Sequence, residues 1–337
     1  MDKRVIFAVA GSGKTTYIIN SLTKDKRSLI VTYTDANCSN LRERILEKFN
    51  GFWPENIVLM TYFVFLYRFC YKPFLSDKCK AVGICYDQNL IPRYSKMTNL
   101  DFYMTPNRYP YSNRLSFLLE QCGVVPDIQA RITTYFDEFI IDEVQDIAGR
   151  DFNFLEKIMR ANENMLFVGD FYQHTFDTSR DGKVNATLFD GISAYQKRFI
   201  AQGFIIDTDS LKDSWRCSKS VCDYIRTNLG ISIFSARPDT DDTLIQYVSE
   251  ANQIERILND KEIIKLHYQK AALAGVGHKN WGATKGEDHV DVCVLLNKTT
   301  AKARVSGKLS NLPTSTKNKL YVAITRAKGN VYLIDEQ

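Results

Sequence analysis

Short apolar runs alternate with amphipathic stretches over the first part of the chain. Arg4-Val5-Ile6-Phe7-Ala8-Val9 reads as a buried strand rich in β-formers. A glycine-bearing turn and a helix from Thr15 to Leu22 follow. Ser28–Tyr33 is a second apolar strand, succeeded by a turn over Thr34–Asn37. A helix then runs from about Ser39 to Phe49, with Leu41, Ile45, Leu46 and Phe49 on one face. Val58–Tyr62 is a third strand, leading into an aromatic-rich helix to about Tyr71. This βαβαβ alternation predicts an α/β fold with a parallel sheet whose ligand sits at the C-terminal strand ends.

From Arg68 to Pro126 the pattern loosens, and the stretch reads as a small insertion at about 68–126. It holds six tyrosines, and eight Lys/Arg against four Asp/Glu. Basic residues interleaved with aromatics suit single-stranded nucleic acid; a solvated, Tyr-rich subdomain has the same composition, and both readings stand. Buried strands return at Phe139–Glu143, ending in two acids, and at Met165–Asp170. Near Phe204–Asp207 the chain passes from a first domain, 1–205, to a second, 206–337. There the pattern predicts a helix at Ser218–Asn228, strands at Thr243–Val248, Glu262–Tyr268 and Val290–Leu296, and a helix at Asn252–Leu258. Gly275–Glu287 reads as a loop, and Asn330–Ile334 as the closing strand. No repeat or low-complexity tract interrupts the chain.

With 337 residues, 45% hydrophobic and 25% charged, the composition is that of a soluble globular protein with room for two cores. A formal charge of +5 permits a nucleic-acid partner without demanding one. No segment approaches a membrane span and the N-terminus carries no signal-peptide pattern, which predicts a cytoplasmic protein without a membrane partner. The eight cysteines suit reduced thiols. Cys70, Cys79, Cys85 and Cys122 share one region, but their spacing matches no zinc pattern, so scattered buried thiols are expected.

The candidate chemistry starts at Ala8-Val9-Ala10-Gly11-Ser12-Gly13-Lys14-Thr15-Thr16. A strand, a Gly-rich turn, Lys-Thr and a helix form a phosphate cradle: backbone N–H groups and a helix N-terminus face the anion. Ala10 to Thr16 would bind ATP, with Lys14 on the β- and γ-phosphates and the Thr15 hydroxyl on Mg²⁺. The usual pattern opens on Gly where this chain has Ala8. A Gly-rich loop with a chance Lys is the bland alternative. The strand ending in Asp142-Glu143 supplies the other half of such a site. Asp142 would hold Mg²⁺, and Glu143 would orient and deprotonate the attacking water. Gln173, beyond the Met165–Asp170 strand, could meet the γ-phosphate or that water, or be a surface residue.

Taken together these motifs resemble the UvrD/Rep branch of superfamily 1 helicases. The first motif there commonly has Ala at its opening position. Ile141-Asp142-Glu143-Val144-Gln145-Asp146 matches the branch's DE-x-QD signature, and Tyr321-Val322-Ala323-Ile324-Thr325-Arg326-Ala327 nearly copies YVAxTRA. Val31–Asn37 with Leu41–Ile45, Met60-Thr61-Tyr62, Val168–Gln173, Ser214–Ser218 and Thr284–His289 resemble further motifs in the family's order. Phe63 stands where His is usual.

The resemblance implies two RecA-like P-loop NTPase domains sandwiching ATP, with Lys14, Asp142, Glu143 and Gln173 from the first. Arg216 and Arg326 from the second would act as arginine fingers, and Trp215 would stack on adenine. It implies that Tyr33, Thr61, Tyr62, Phe176 and Lys285 meet nucleic acid, with Asp288 a further strand or ribose contact. Closure of the domains on ATP and Mg²⁺ would drive stepping on single-stranded DNA, 3′ to 5′, with duplex unwinding. Three departures weigh on this, one of them an unusual motif-bearing loop at 282–288. The family's upstream Gln-containing segment has no counterpart before the first strand, which predicts weak base selectivity. Too few residues separate Arg216 from Ala283 for a large second accessory subdomain, a compact form that suits a phage, virus or mobile element; the cytoplasm would then be a host's. An ATP-gated binding module without unwinding activity, an RNA-directed helicase and a plain nucleotide hydrolase are the rivals. A recruiting protein partner is open.

Overall fold

The computed structural model describes residues 2–91, 95–175 and 183–336. By their contacts these residues fall into two units. The second consists of Phe7–Lys14, Gly169–Thr175 and Thr208 onward; the first holds the remaining described residues.

The first unit is built on a parallel six-stranded sheet. In chain order its strands are β1 (Arg4–Phe7), β2 (Ser28–Thr32), β3 (Ile57–Thr61), β4 (Glu138–Asp142), β5 (Met165–Gly169) and β6 (Ile205–Asp207), and across the sheet they run β3-β2-β4-β5-β1-β6. β2, β4 and β5 are buried along their whole length, which is why they read as unbroken apolar runs and not as alternating ones. β6 pairs in register with β1, Arg4 opposite Ile205 and Ile6 opposite Asp207, so the stretch over which the sequence places its domain boundary is a strand of this sheet.

Helix α1 (Lys14–Ser21) follows β1, and α2 (Asp35–Lys48) follows β2. The expected turn at Thr34–Asn37 is the first turn of α2, because the Thr34 side chain caps it by accepting the N–H of Asn37 at 3.1 Å. At the far end of α2, the Lys48 ammonium donates to the carbonyls of Ile19 and Leu22 at 2.6 Å each, where α1 ends.

After β3 the chain makes a turn of helix, α3 (Tyr62–Val64), and a π-helical stretch (Phe65–Tyr71) before α4 (Lys72–Cys79). The loosened stretch to Pro126 contains α5 (Leu115–Gln121) and the start of α6 (Val125–Tyr135). The helices that the sequence pattern does not announce include α7 (Gly149–Ile158) and α8 (Ile192–Ile200). Of the four neighbouring cysteines only Cys70 is buried; Cys79 and Cys85 are half-buried and Cys122 is exposed, which corrects the expectation of buried thiols. Among the described residues no group of His, Cys, Asp and Glu is placed to hold a metal ion.

The second unit carries a parallel five-stranded sheet. After the short pair β7 (Asp213–Ser214) and β8 (Phe234–Ser235) come β9 (Ile245–Tyr247), β10 (Ile264–His267), β11 (His278–Asn280), β12 (Val292–Leu296) and β13 (Val331–Asp335), in the order β11-β10-β12-β13-β9. β11 lies inside the stretch expected to be a loop; its residues are polar and partly exposed, so no apolar run announces it. The helices are α9 (Lys219–Leu229), α10 (Ala251–Asn259), α11 (Lys298–Val305) and α12 (Thr314–Ile324). Ser218 caps α9 by accepting the N–H of Val221 at 3.3 Å, and Gly230 closes it in the left-handed region at φ +67°. The core joins α9, α12, β10, β12 and β13 around the fully buried Trp281 and Tyr321, and takes in Val9 and Ala10 from the Gly-rich segment. Among the described residues no helix is long and apolar enough to cross a membrane.

Candidate nucleotide site

The Gly-rich turn has the backbone that the phosphate-cradle reading requires. Gly11 and Gly13 stand at φ +70° and +87°, and α1 opens at Lys14 immediately beyond. Gly11 has a second reason to be glycine. A Cβ there would lie 2.5 Å from Cβ of Arg216 and 2.9 Å from Oγ of Ser214. The turn is therefore pressed directly onto the segment bearing Trp215 and Arg216. The backbone N–H of Trp215 also donates to the Gly11 carbonyl at 2.9 Å.

A buried hydroxyl ties the same turn to α12. Tyr321 Oη accepts the Ala10 N–H at 2.9 Å and donates to Oδ2 of Asp170 at 3.0 Å. Burial, with the Asp170 carboxylate beside it, pushes the phenol well above its ordinary pKa, so it stays a donor. Asp170 caps the short turn Phe171–Gln173 by accepting the Tyr172 N–H, which fixes the buried Gln173. A single hydroxyl thus connects Ala10 to the turn that ends in Gln173.

The two arginines differ in setting. Arg216 donates to the Thr325 carbonyl at 3.1 Å and pairs with Asp288 at 2.5 Å; Lys328 shares that carboxylate at 3.1 Å. Asp288, expected as a strand or ribose contact, pairs with Arg216 here. Arg237, which no sequence motif signals, holds the Arg216 carbonyl at 3.0 Å. Arg326 is 1% exposed and donates to the carbonyls of Val322, Thr284 and Glu287 at 3.0, 3.4 and 3.2 Å. Burial, and then the neighbouring Arg216 charge, push its guanidinium down to about 10. It braces the loop that carries the half-buried Lys285. Trp215 is 70% exposed, so its indole has an open face rather than a core position.

In the first unit, Thr15 is half-buried, and the exposed Thr16 accepts a bond from Arg44 at 2.8 Å. Asp142 ends β4, buried. Glu143 follows at φ +58°, a left-handed conformation costly for a residue with a Cβ, and Gln145 donates to its carboxylate.

The nucleic-acid candidates are spread out. Tyr33 is half-buried just beyond β2, and Thr61 ends β3 at 9% exposure. Tyr62 is buried against Phe65, with burial and the nearby Asp151 raising its phenol pKa well above the ordinary value. That is the setting of a packing side chain, because a base needs an open ring face. Phe176 lies outside the described residues.

Two solved helicases are similar in structure. The PRRSV helicase superposes with a TM-score of 0.48 at 14% identity, over 98% of this chain and 52% of its own. The arterivirus nonstructural protein 10 helicase, solved in complex with DNA, superposes with a TM-score of 0.51 at 13% identity, over 99% of this chain and 60% of its own. The chain thus spans between half and three fifths of the length of these structures, and the second likeness, at 13% identity, speaks for the fold alone. That fold is α/β with parallel sheets, as expected for RecA-like domains. None of the curated proteins matches the chain. The family comparison does: residues 2–177, more than half of the sequence and including the Gly-rich turn, Asp142, Glu143 and Gln173, match the AAA domain family, and the chain belongs to it.

Proposed function

We propose that the chain is an Mg²⁺- and ATP-dependent motor on single-stranded nucleic acid: a superfamily 1 helicase that moves along DNA 3′ to 5′ and unwinds duplexes. The observation that carries the reading is the seating of Gly11 on the Ser214–Arg216 segment, which leaves no room for a Cβ. It brings a phosphate-binding turn against an arginine and an exposed indole. The AAA domain match and the helicase-like fold support the same reading.

The residues fit Mg·ATP: two glycines in the left-handed region, a lysine opening a helix, and a hydroxyl and a buried carboxylate as hard oxygen donors. Bound ATP would supply the transferable phosphoryl group, and Mg²⁺ would neutralise its charge. The N–H groups of Gly11 to Lys14 cradle phosphate oxygens and Lys14 adds its charge. Thr15 and Asp142 hold the metal. Glu143 accepts the water's proton and Gln173 orients that water. Trp215 covers adenine. Arg216, released from Asp288, stabilises the charge that develops on transfer, with Arg326 behind it. Tyr33, Thr61 and Lys285 are the strand contacts in this reading. We place its action in the cytoplasm, a host's if its source is viral.

Steady-state ATP hydrolysis with and without single-stranded DNA, run beside RNA and repeated for Lys14→Ala, tests the proposal. Strong stimulation by DNA, lost in the variant, is the expected result. Stimulation by RNA alone would reassign the polymer, and hydrolysis indifferent to both would sink the motor. A strand-displacement assay then separates a helicase from an ATP-gated clamp.

A further inference from the structure

The helix after β3 stacks its aromatic rings in two columns. Phe65 and Phe69 lie 5.5 Å apart at 17°, and they are spent on the core against Phe139 and Phe136. The other column runs Phe63, Tyr67, Tyr71, with centroids 6.2 and 6.0 Å apart at 15° and 16°. Its inner ring, Tyr71, is buried, whereas Phe63 and Tyr67 are half-buried. The ring of Tyr86 stands 5.3 Å from Phe63, tilted at 52°, and is 65% exposed. The Lys72 ammonium lies 5.2 Å from the Tyr67 ring centre. Tyr67 and Tyr71 of the column stand on the π-helical stretch Phe65–Tyr71, a geometry frequent at functional sites, and Phe63 on the helical turn before it.

Tyr86 is not on a loose loop tip. The Val82 N–H donates to Arg108 at 3.0 Å, the Cys85 N–H to Pro110 at 2.8 Å, and the Ser112 N–H back to Cys85 at 3.0 Å. Gly83 lies under the Tyr109 ring, where a Cβ would come within 3.1 Å. The fold thus braces a large ring and leaves most of it in water, next to a column with an unfinished end.

We propose that Phe63 and Tyr86 form a stacking platform for the unpaired bases of single-stranded nucleic acid, with Lys72 serving the backbone beside them. The inference rests on the nucleic-acid reading above and adds Tyr86 and Lys72, which lie in no motif, to Phe63. The occupant follows from chemistry and place. Stacked rings with cations at their flank match a polymer of π-faces and phosphates. The surrounding stretch, 68–126, has twice as many cations as acids, eight against four, which a neutral apolar protein segment would not use. Phe63 comes two residues after the C-terminal end of β3, the edge at which parallel sheets receive ligands.

Fluorescence anisotropy with a labelled single-stranded oligonucleotide, DNA and RNA in separate titrations and without ATP, tests the platform. Tyr86→Ala and Phe63→Leu should each weaken binding about 5- to 100-fold, the range of one lost base stack, and Tyr86→Phe should stay within about twofold. The salt slope should be unchanged in these variants, because stacking releases no counterions, and should flatten in Lys72→Ala. Phe52→Ala, which removes a 79%-exposed ring elsewhere on the first unit, is the control and should match the wild type. Because Tyr86 is exposed, its variants carry the test even where Phe63→Leu fails to fold. Wild-type protein that binds while Tyr86→Ala binds equally well overturns the platform and leaves the motor standing. Wild-type protein that binds neither polymer removes both.

Discussion

The hydroxyl of Tyr321 accepts the Ala10 N–H at 2.9 Å and donates to Asp170 at 3.0 Å, with all three residues 1% exposed or less. Residues 10, 170 and 321 are far apart in sequence, and this oxygen is their common partner. The pair of bonds joins the Gly-rich turn to the turn bearing Gln173.

Tyr321→Phe keeps the ring and removes the oxygen. The Ala10 N–H and one Asp170 oxygen then lose a partner in a dry site, at about 1–3 kcal/mol for each such group. Urea unfolding of the variant should show that loss, and ATP affinity should fall with it as the turn loosens. A change in stability below about 0.5 kcal/mol, the scale of an ordinary surface substitution, would mean the bonds are not what holds the turn.

Gly11→Ala meets two obstacles at once. Its φ of +70° is unfavourable for a residue with a Cβ, and that Cβ would sit 2.5 Å from Cβ of Arg216, which is no flexible side-chain end. The turn or the Ser214–Arg216 segment must shift. Binding of a fluorescent ATP analogue should be lost, or weakened at least tenfold, while the rest of the fold survives by circular dichroism. Near-normal affinity would show that the contact is not part of the binding-competent form.

The strands and the Gly-rich turn were legible because β2, β4 and β5 are buried along their whole length and leave unbroken apolar runs of three or four residues. β11 was not, since an edge strand of His-Lys-Asn carries no apolar signal. The start of α2 was lost to Thr34-Asp35-Ala36-Asn37, whose residues suit a turn as well as a capped first helical turn. Lys14, Arg216 and Arg326 could be named from their motifs, but the motifs say nothing of settings. Sequence alone does not tell that Asp288 pairs with Arg216, that Arg237 holds the Arg216 carbonyl, or that Tyr62 faces inward.

The Arg27–Asp137 pair gives the first unit a dependence on acid. Arg27 donates to Asp137 from its backbone N–H at 2.9 Å and its guanidinium at 2.6 Å, and these bonds hold the carboxyl at about 2. The folded value lies below the unfolded one, so the contribution is complete above about pH 4, the ordinary carboxylate range. It is lost as pH falls from there through 2. Asp137→Asn should lower the unfolding midpoint slightly at pH 7, since both side chains are more than a third exposed and solvent screens them. The gap from wild type should close on acidification over that window. A gap independent of pH would assign the effect to packing.

Arg216 and Arg326 separate when activity is measured beside stability. Loss of either should cost about 10³-fold or more in nucleic-acid-stimulated hydrolysis if both serve the transferred phosphate, so a rate alone cannot tell them apart. Their surroundings can. Arg326 donates from within the core to the carbonyls of Thr284 and Glu287. Arg326→Ala should therefore also lose on the order of 2–4 kcal/mol, from hydrogen bonds to a charged group and the void left behind. Arg216→Ala leaves Asp288 with Lys328 at 3.1 Å, and should cost no more than about 1 kcal/mol. Equal destabilisation by the two changes would contradict this division. An Arg326→Ala protein as stable as wild type but inactive would instead make Arg326 a finger that merely rests in the core, with the Thr284–Asp288 loop held by other means.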